Sequence, residues 1–286
     1  MFAVSGVTGQ VGAVVGEKLL ERGLPVRAVM RNEEKAGSWR ERGAEIAIAE
    51  MTDAAALAAA FAGAEAVFLL IPPAFDPAPG FPQAKLIIEA LKTALAKAAP
   101  KKVVCLSTIG AQAKQENLLT QLGLVERALS ELPMPVAFLR AGWFMENSVW
   151  DIAPARDGVM PSFLQPLDKP VPMVGVRDVG AVAAEMLQED WTGKRIVELE
   201  GPYRITPLQM AEAFATVLGR PVQAETIERD AWEPLFRSQG MQNPGPRMRM
   251  LDGFNEGWIE FEGGEAGSRK GETTFETAIR ALVERG

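Results

Sequence analysis

Met1-Phe2-Ala3-Val4-Ser5-Gly6-Val7-Thr8-Gly9-Gln10-Val11-Gly12 is the stretch that decides the fold. A short apolar run, a glycine-punctuated turn and then Ala13-Val14-Val15-Gly16-Glu17-Lys18-Leu19-Leu20 read in order as strand, tight turn and helix. Glycine there lets the chain turn sharply, lets its backbone come close to a pyrophosphate, and lets the helix pack on the strand. The free N–H groups and the dipole at a helix N-terminus favour phosphate charge. The run therefore predicts a dinucleotide-binding turn, with an ordinary structural turn as the plain alternative.

Working outward, short apolar runs alternate with helical patterns. Strands are predicted at 1–5, 25–30, 45–49, 66–71, 102–107 and 135–140, and helices at 10–22, 33–42, 54–61, 81–98 and 116–131. Val11, Val14, Val15 and Leu19 share one helix face, and Asp53 is placed to cap the helix that starts at Ala54. The alternation predicts an α/β fold: a Rossmann-type doubly wound parallel sheet whose strand C-termini open on one edge. After Arg140 the rhythm breaks. Residues 151–175 are proline-rich, a helix returns at 178–189 with Asp178 as its cap, and a strand follows at 196–200. A helix at 207–218 and a strand at 221–225 come next, and most of the tryptophans fall in this second half. The predicted division is 1–142 with 174–200 as the nucleotide-binding Rossmann domain, and 143–173 with 201–286 as a smaller α/β substrate lobe closing a cleft.

Composition narrows the function. Of the 286 residues, 48% are hydrophobic, enough for a sizeable core, yet no apolar run approaches a membrane span. The apolar start is too short and lacks the basic segment of a secretion signal. A single cysteine, Cys105, leaves no internal disulfide, suits a reducing cytoplasm and reads as a buried core residue. A net charge of −7 argues against nucleic acid as a partner. Histidine is absent and no cysteine cluster exists, which argues against a metal site.

The second strand ends at Arg31, where an NAD-preferring site usually carries an acid for the ribose hydroxyls. A guanidinium instead suits a 2′-phosphate, and Lys35 adds a second charge, so NADPH is expected over NADH. The plain alternative for Arg31 is a solvated side chain at a helix start.

The opening turn, together with Val29-Met30-Arg31-Asn32-Glu33-Glu34-Lys35-Ala36, resembles the NmrA-like branch of atypical short-chain dehydrogenases. The likeness continues through Ala64-Glu65-Ala66-Val67-Phe68-Leu69-Leu70-Ile71-Pro72-Pro73 and Val103-Val104-Cys105-Leu106-Ser107-Thr108. It is carried further by Phe138-Leu139-Arg140-Ala141-Gly142-Trp143-Phe144-Met145-Glu146-Asn147 and Val174-Gly175-Val176-Arg177-Asp178-Val179-Gly180, and ends near Leu218-Gly219-Arg220-Pro221-Val222. The branch includes NADPH-dependent quinone and azo-dye reductases, isoflavone-reductase relatives, and regulators that bind NADP without catalysis. The resemblance implies Gly6, Thr8, Gly9, Gln10 and Val11 at the pyrophosphate, Arg31 at the 2′-phosphate and Glu50 near the adenine. It further implies Leu70, Ile71 and Pro72 along the nicotinamide ribose, Ser107 or Thr108 beside the nicotinamide, and Gly142, Trp143 and Phe144 as the wall toward substrate.

The proton donor is missing. A standard short-chain dehydrogenase carries Tyr-x-x-x-Lys on the helix after the serine strand, whereas the one tyrosine here is the distant Tyr203. Matching Val125-Glu126-Arg127-Ala128-Leu129 to the family places Leu122 in the donor slot, and leucine donates no proton. A ketone reduced to an alkoxide needs an acid or oxyanion donors, while a quinone yields a much better stabilised anion. Direct hydride transfer from NADPH to a quinone-like, azo or other conjugated acceptor is therefore expected, on a cytoplasmic monomer or homodimer. The alternative is a non-catalytic NADP(H)-binding redox sensor acting through a protein partner. Phe75, Trp143 and Phe144 are candidates to stack on a flat acceptor and Asn147 to orient it, though each aromatic side chain also suits the core. Arg247-Met248-Arg249-Met250 reads as an amphipathic surface segment, with anion binding as the alternative.

Overall fold

In the computed structural model, which describes residues 1–285, the opening stretch folds as β1 (Phe2–Ser5), a turn, and α1 (Gln10–Glu21). The following strands are β2 (Val26–Met30), β3 (Glu45–Ile48), β4 (Ala66–Leu69), β5 (Lys102–Thr108) and β6 (Val136–Ala141). Next come β7 (Trp143–Phe144), β8 (Val159–Ser162), β9 (Met173–Val174), β10 (Lys194–Glu200), β11 (Gln223–Thr226) and β12 (Arg269–Lys270). Eight of these form one parallel sheet in the order β12-β10-β6-β5-β4-β1-β2-β3. The winding changes direction between β1 and β4, the switch point at which such sheets open a crevice beyond their strand C-termini.

The remaining helices are α2 (Gly37–Glu41), α3 (Ala54–Phe61), α4 (Pro82–Ala98), α5 (Thr120–Ser130), α6 (Ile152–Arg156), α7 (Val176–Met186), α8 (Pro207–Leu218), α9 (Trp232–Ser238), α10 (Gly245–Glu256), α11 (Gly264–Gly267) and α12 (Phe275–Arg285). Successive strand residues point to opposite faces, so β1 and β4, buried along their whole length, need cover on both. On one face Phe2, Val4 and Phe68 pack with Val11, Val15 and Leu19 of α1 and with Val179 and Ala183 of α7. On the other, Ala3, Val67 and Leu69 meet Leu57 and Phe61 of α3, Leu91 and Leu95 of α4, and Val125 and Leu129 of α5. Each fully buried Leu or Phe contributes on the order of 2 kcal/mol. A third apolar cluster lies mainly beyond β6, around Phe214, Trp232, Phe236, Phe275 and Ile279. No helix among the described residues is long and apolar enough to cross a membrane.

Departures from the predicted elements have local causes. The predicted helix 33–42 divides into a 3-10 turn at Glu33–Lys35, begun by Asn32 accepting the Glu34 N–H, and α2 starting at Gly37. The predicted helix 116–131 begins only at Thr120, because Asn117 accepts the Leu119 N–H and Thr120 Oγ1 accepts the Asn117 N–H, a turn that competes with helix. Asp178 does not cap α7. Gly175 holds that position, the Glu146 carboxylate accepts the Val176 N–H at 3.0 Å, and Asp178 accepts the N–H and hydroxyl of Thr273. The strand predicted at 221–225 lies at Gln223–Thr226, paired with β8. β12, two exposed cations without apolar alternation, extends the main sheet beside β10, and its sequence carries no strand signal.

Candidate functional site

The turn after β1 is shaped by its glycines. Gly6 sits at φ 68°, a left-handed conformation, and its carbonyl accepts the Gly9 N–H at 2.9 Å. A Cβ on Gly12 would lie 2.3 Å from the Gly6 oxygen and 2.7 Å from that of Ser5, so α1 reaches the end of β1 only through glycine. Gly9 is the N-cap and supplies no side chain, which leaves the first N–H groups of α1 free of any side-chain cap. Thr8, Gly9 and Gln10 are exposed, whereas the Val11 side chain is buried in the core and offers the turn only its N–H. This cradle fits a dinucleotide pyrophosphate by shape and by dipole.

Arg31 and Lys35 are both exposed just beyond β2, and neither side chain makes an ion pair or hydrogen bond among the described residues. The neighbouring acid Glu33 is taken by Arg40 at 2.7 Å, so it does not neutralise Arg31. Glu50, beyond β3, is exposed, and its backbone carbonyl accepts the Asp53 N–H.

At the end of β4 the Leu70 side chain lies over Gly6, with its methyl carbons 3.1 Å from where a Cβ on that glycine would stand, and the Leu70 N–H donates to Ser5 Oγ. Ile71 is half-buried, Pro72 is exposed and Phe75 is 58% exposed on the loop that follows. That loop is strapped to the N-terminal end of α10. The Asp76 carboxylate accepts the Gln242 and Asn243 N–H groups at 2.8 and 2.7 Å, and Asn243 Nδ2 donates to the Pro77 carbonyl.

The pair Ser107 and Thr108 is split by strand alternation. Ser107 turns with Val103 and Cys105 toward α5 and donates to the Glu126 carboxylate, so its hydroxyl is committed away from the crevice. Thr108 ends the strand half-buried. Leu122 on α5 is half-buried and belongs to none of the three apolar clusters. Cys105 is buried, and desolvation pushes its thiol up, which leaves it unreactive.

Beyond β6, Trp143-Phe144 leaves the sheet as β7 and runs beside β9. Trp143 is half-buried and meets Phe254 of α10 edge-on, ring centres 5.2 Å apart; Phe144 packs on the α1–α7 core, and Asn147 is exposed. Sequence reasoning missed the ionic cluster beneath this edge. Arg140, 3% exposed, donates twice to Glu126 and once to Glu262 at 2.8 Å, with Glu198 3.5 Å away. Burial works against its charge, but the Glu126 and Glu262 carboxylates outweigh it and hold the guanidinium above its ordinary value. A lone cation in the apolar strand Val136-Ala137-Phe138-Leu139-Arg140-Ala141 was the available signal.

Residues 1–251 match the sequence profile of the NmrA-like family. Over 234 residues the chain is 31% identical to (4-alkanoyl-5-oxo-2,5-dihydrofuran-3-yl)methyl phosphate reductase of Streptomyces griseus, covering 81% of this chain and 78% of that one. It is 28% identical over 260 residues to NAD(P)H azoreductase of Xenophilus azovorans, covering 90% and 85%. Among solved structures, NADPH-dependent quinone oxidoreductase from Escherichia coli complexed with NADPH superposes with a TM-score of 0.81 at 23% identity, over 99% of this chain and all of the other.

Proposed function

This chain belongs to the NmrA-like family, and from that premise we propose that it reduces a small conjugated acceptor, of quinone or azo type, with NADPH. It is an NAD(P)H-binding oxidoreductase, and its relatives are named for azo, furanone-phosphate and quinone reduction. Bound NADPH supplies the hydride. Gly6, Thr8, Gly9, Gln10 and the Val11 N–H hold the pyrophosphate, and Arg31 with Lys35 takes the 2′-phosphate. Glu50 lies toward the adenine ribose. Leu70, Ile71 and Pro72 border the nicotinamide ribose, and Thr108 rather than Ser107 stands beside the ring. Residues 143–173 with 201–286 form the acceptor lobe, in which Trp143 and Phe144 wall the acceptor while Phe75 and Asn147 flank it.

The observation that carries this reading is the lack of a proton donor where the family chemistry expects one. Leu122 fills the slot, and of the two hydroxyls that end β5 Ser107 is tied to Glu126 while Thr108 has no side-chain partner among the described residues to activate it. Positioning over the nicotinamide then has to supply the rate, which suits acceptors whose reduced anion is stabilised by its own conjugation and takes its proton from water. NADPH oxidation measured against quinones, azo dyes and simple ketones tests this. Turnover is expected with conjugated acceptors and not with ketones. Tight NADP(H) binding without turnover of any acceptor would replace the reductase with a redox sensor.

A further inference from the structure

Among the described residues, five cations lie over aromatic rings: Arg42 over Trp39, Lys102 over Trp191, Arg229 over Trp232, Arg247 over Phe236 and Arg249 over Trp258. Four of them also hold a carboxylate, namely Glu17, Asp190 and the Asp252 shared by Arg229 and Arg249. Arg247 is the exception. Its guanidinium carbon stands 4.4 Å from the Phe236 ring centre, the closest stack of the five, yet among the described residues it has neither ion pair nor hydrogen bond. Arg140, which is buried, and Arg204, half-buried like Arg247, each face three carboxylates. Burial pushes the Arg247 guanidinium down, and no ionised neighbour opposes it. Packing has thus replaced water on one face of a cation with the Phe236 ring and provided no anion.

Its place in the fold supplies a reason. The start of α10 is fixed at the C-terminal edge of the sheet, where the Pro246 carbonyl accepts the Leu118 N–H and Asp76 holds Asn243. Arg247 and Phe254 are two helical turns apart and share a face, so they lie about 10 Å from each other along the axis. Phe254 is the ring that meets Trp143. One face of α10 therefore runs from the proposed acceptor wall to an unpaired, ring-stacked guanidinium. We infer that Arg247 anchors an anionic group of the acceptor, a carboxylate, sulfonate or phosphate, while the reducible part lies toward Trp143. The planar fork suits all three groups bidentately, Phe236 holds its plane, and partial desolvation strengthens the contact.

The inference rests on assigning this lobe to the acceptor, and its test separates the two. With NADPH saturating, kcat/KM is compared for naphthoquinone and its ring-sulfonated analogue in the native chain, Arg247→Met and Arg247→Lys. Methionine keeps the packing over Phe236 and removes the charge. The preference for the sulfonate is expected to fall about tenfold or more in Arg247→Met, through KM rather than kcat, and to be largely kept in Arg247→Lys. A parallel calorimetric titration of naphthalenesulfonate reads anion binding without turnover. Binding that is lost only in Arg247→Met supports the anchor even if no acceptor is reduced, in which case the reductase reading alone fails. An unchanged sulfonate preference, or naphthalenesulfonate binding equal in all three proteins, overturns the anchor.

Discussion

The proposed cofactor and acceptor ends of the crevice are built by different means. At the glycine turn the surface is backbone: a left-handed Gly6, an α1 N-terminus without a side-chain cap, and Gly12 pressed against the Gly6 carbonyl. At the other end it is side chains drawn from far apart in the chain. Trp143 leans on Phe254, Asp76 reaches Gln242 and Asn243, and Arg247 stacks on Phe236. A backbone cradle has few permitted sequences, because Gly6 holds a left-handed conformation and a Cβ on Gly12 meets main chain. A wall of side chains can be altered one residue at a time while the sheet beneath stays intact.

The harshest way to break the comparison is Gly12→Ala. The new methyl would stand 2.3 Å from a backbone oxygen that has nowhere to go. Overpacking of this kind costs about 3 kcal/mol or more, and any chain that folds should have lost its NADPH affinity. Urea unfolding with an NADPH fluorescence titration reads both; a loss below ~1 kcal/mol with affinity intact would show the turn to be pliant.

That contrast also explains what could be read from the chain. The turn, the alternation and the Asp53 cap are local patterns; Asp53 does accept the Ala55 and Ala56 N–H groups as expected. Strand alternation alone could have separated Ser107 from Thr108, since Val103, Cys105 and Ser107 share a face. The partners of Arg140 were not legible. Glu126 is 14 positions away and Glu262 is 122, and nothing local says which acids the fold brings together. The Arg-Met-Arg-Met run shows the amphipathic pattern, and Met248 and Met250 are indeed buried. Arg249 reaches Asp252 at the i,i+3 spacing of a helix, which the sequence does show, whereas the absence of an acid beside Arg247 is a property of packing.

Arg31→Ala tests the cofactor end without touching the sheet. Losing an unpaired guanidinium should raise the KM for NADPH by roughly tenfold to a hundredfold while changing that for NADH little, since only the former carries the 2′-phosphate. Equal changes would place the phosphate elsewhere. Trp143→Ala is the counterpart at the acceptor end. It should raise the acceptor KM about tenfold and leave NADPH affinity near its native value. Loss of cofactor binding instead would mean that the two ends are coupled through β7 and β9.

The smallest effect is a pH dependence confined to the acceptor side. Asp151 closes the turn that follows Trp143-Phe144, and burial raises its carboxyl to about 6, with a hydrogen bond to Ser148 opposing. Nearby Glu146 is also raised by burial, with the Val176 N–H opposing. For an acid whose folded pKa lies above its unfolded value, near 3.8 here, the folded state binds the proton more tightly. Its contribution is most favourable below the unfolded value and is lost as pH rises toward 6. Asp151→Asn removes that loss. The variant should match the native chain near pH 4 and exceed it above pH 7 by on the order of 1 kcal/mol, a figure reduced for the solvent the side chain still sees. Melting temperatures of the two proteins across this range provide the comparison, with a gain of a few degrees expected at the alkaline end. A gain that is the same at every pH would assign the effect to packing rather than to charge. A gain that develops between about pH 4 and pH 6 and then levels off would show that the proposed acceptor side tolerates a partly buried acid at some cost to stability, as a side-chain-built wall can and a backbone cradle cannot.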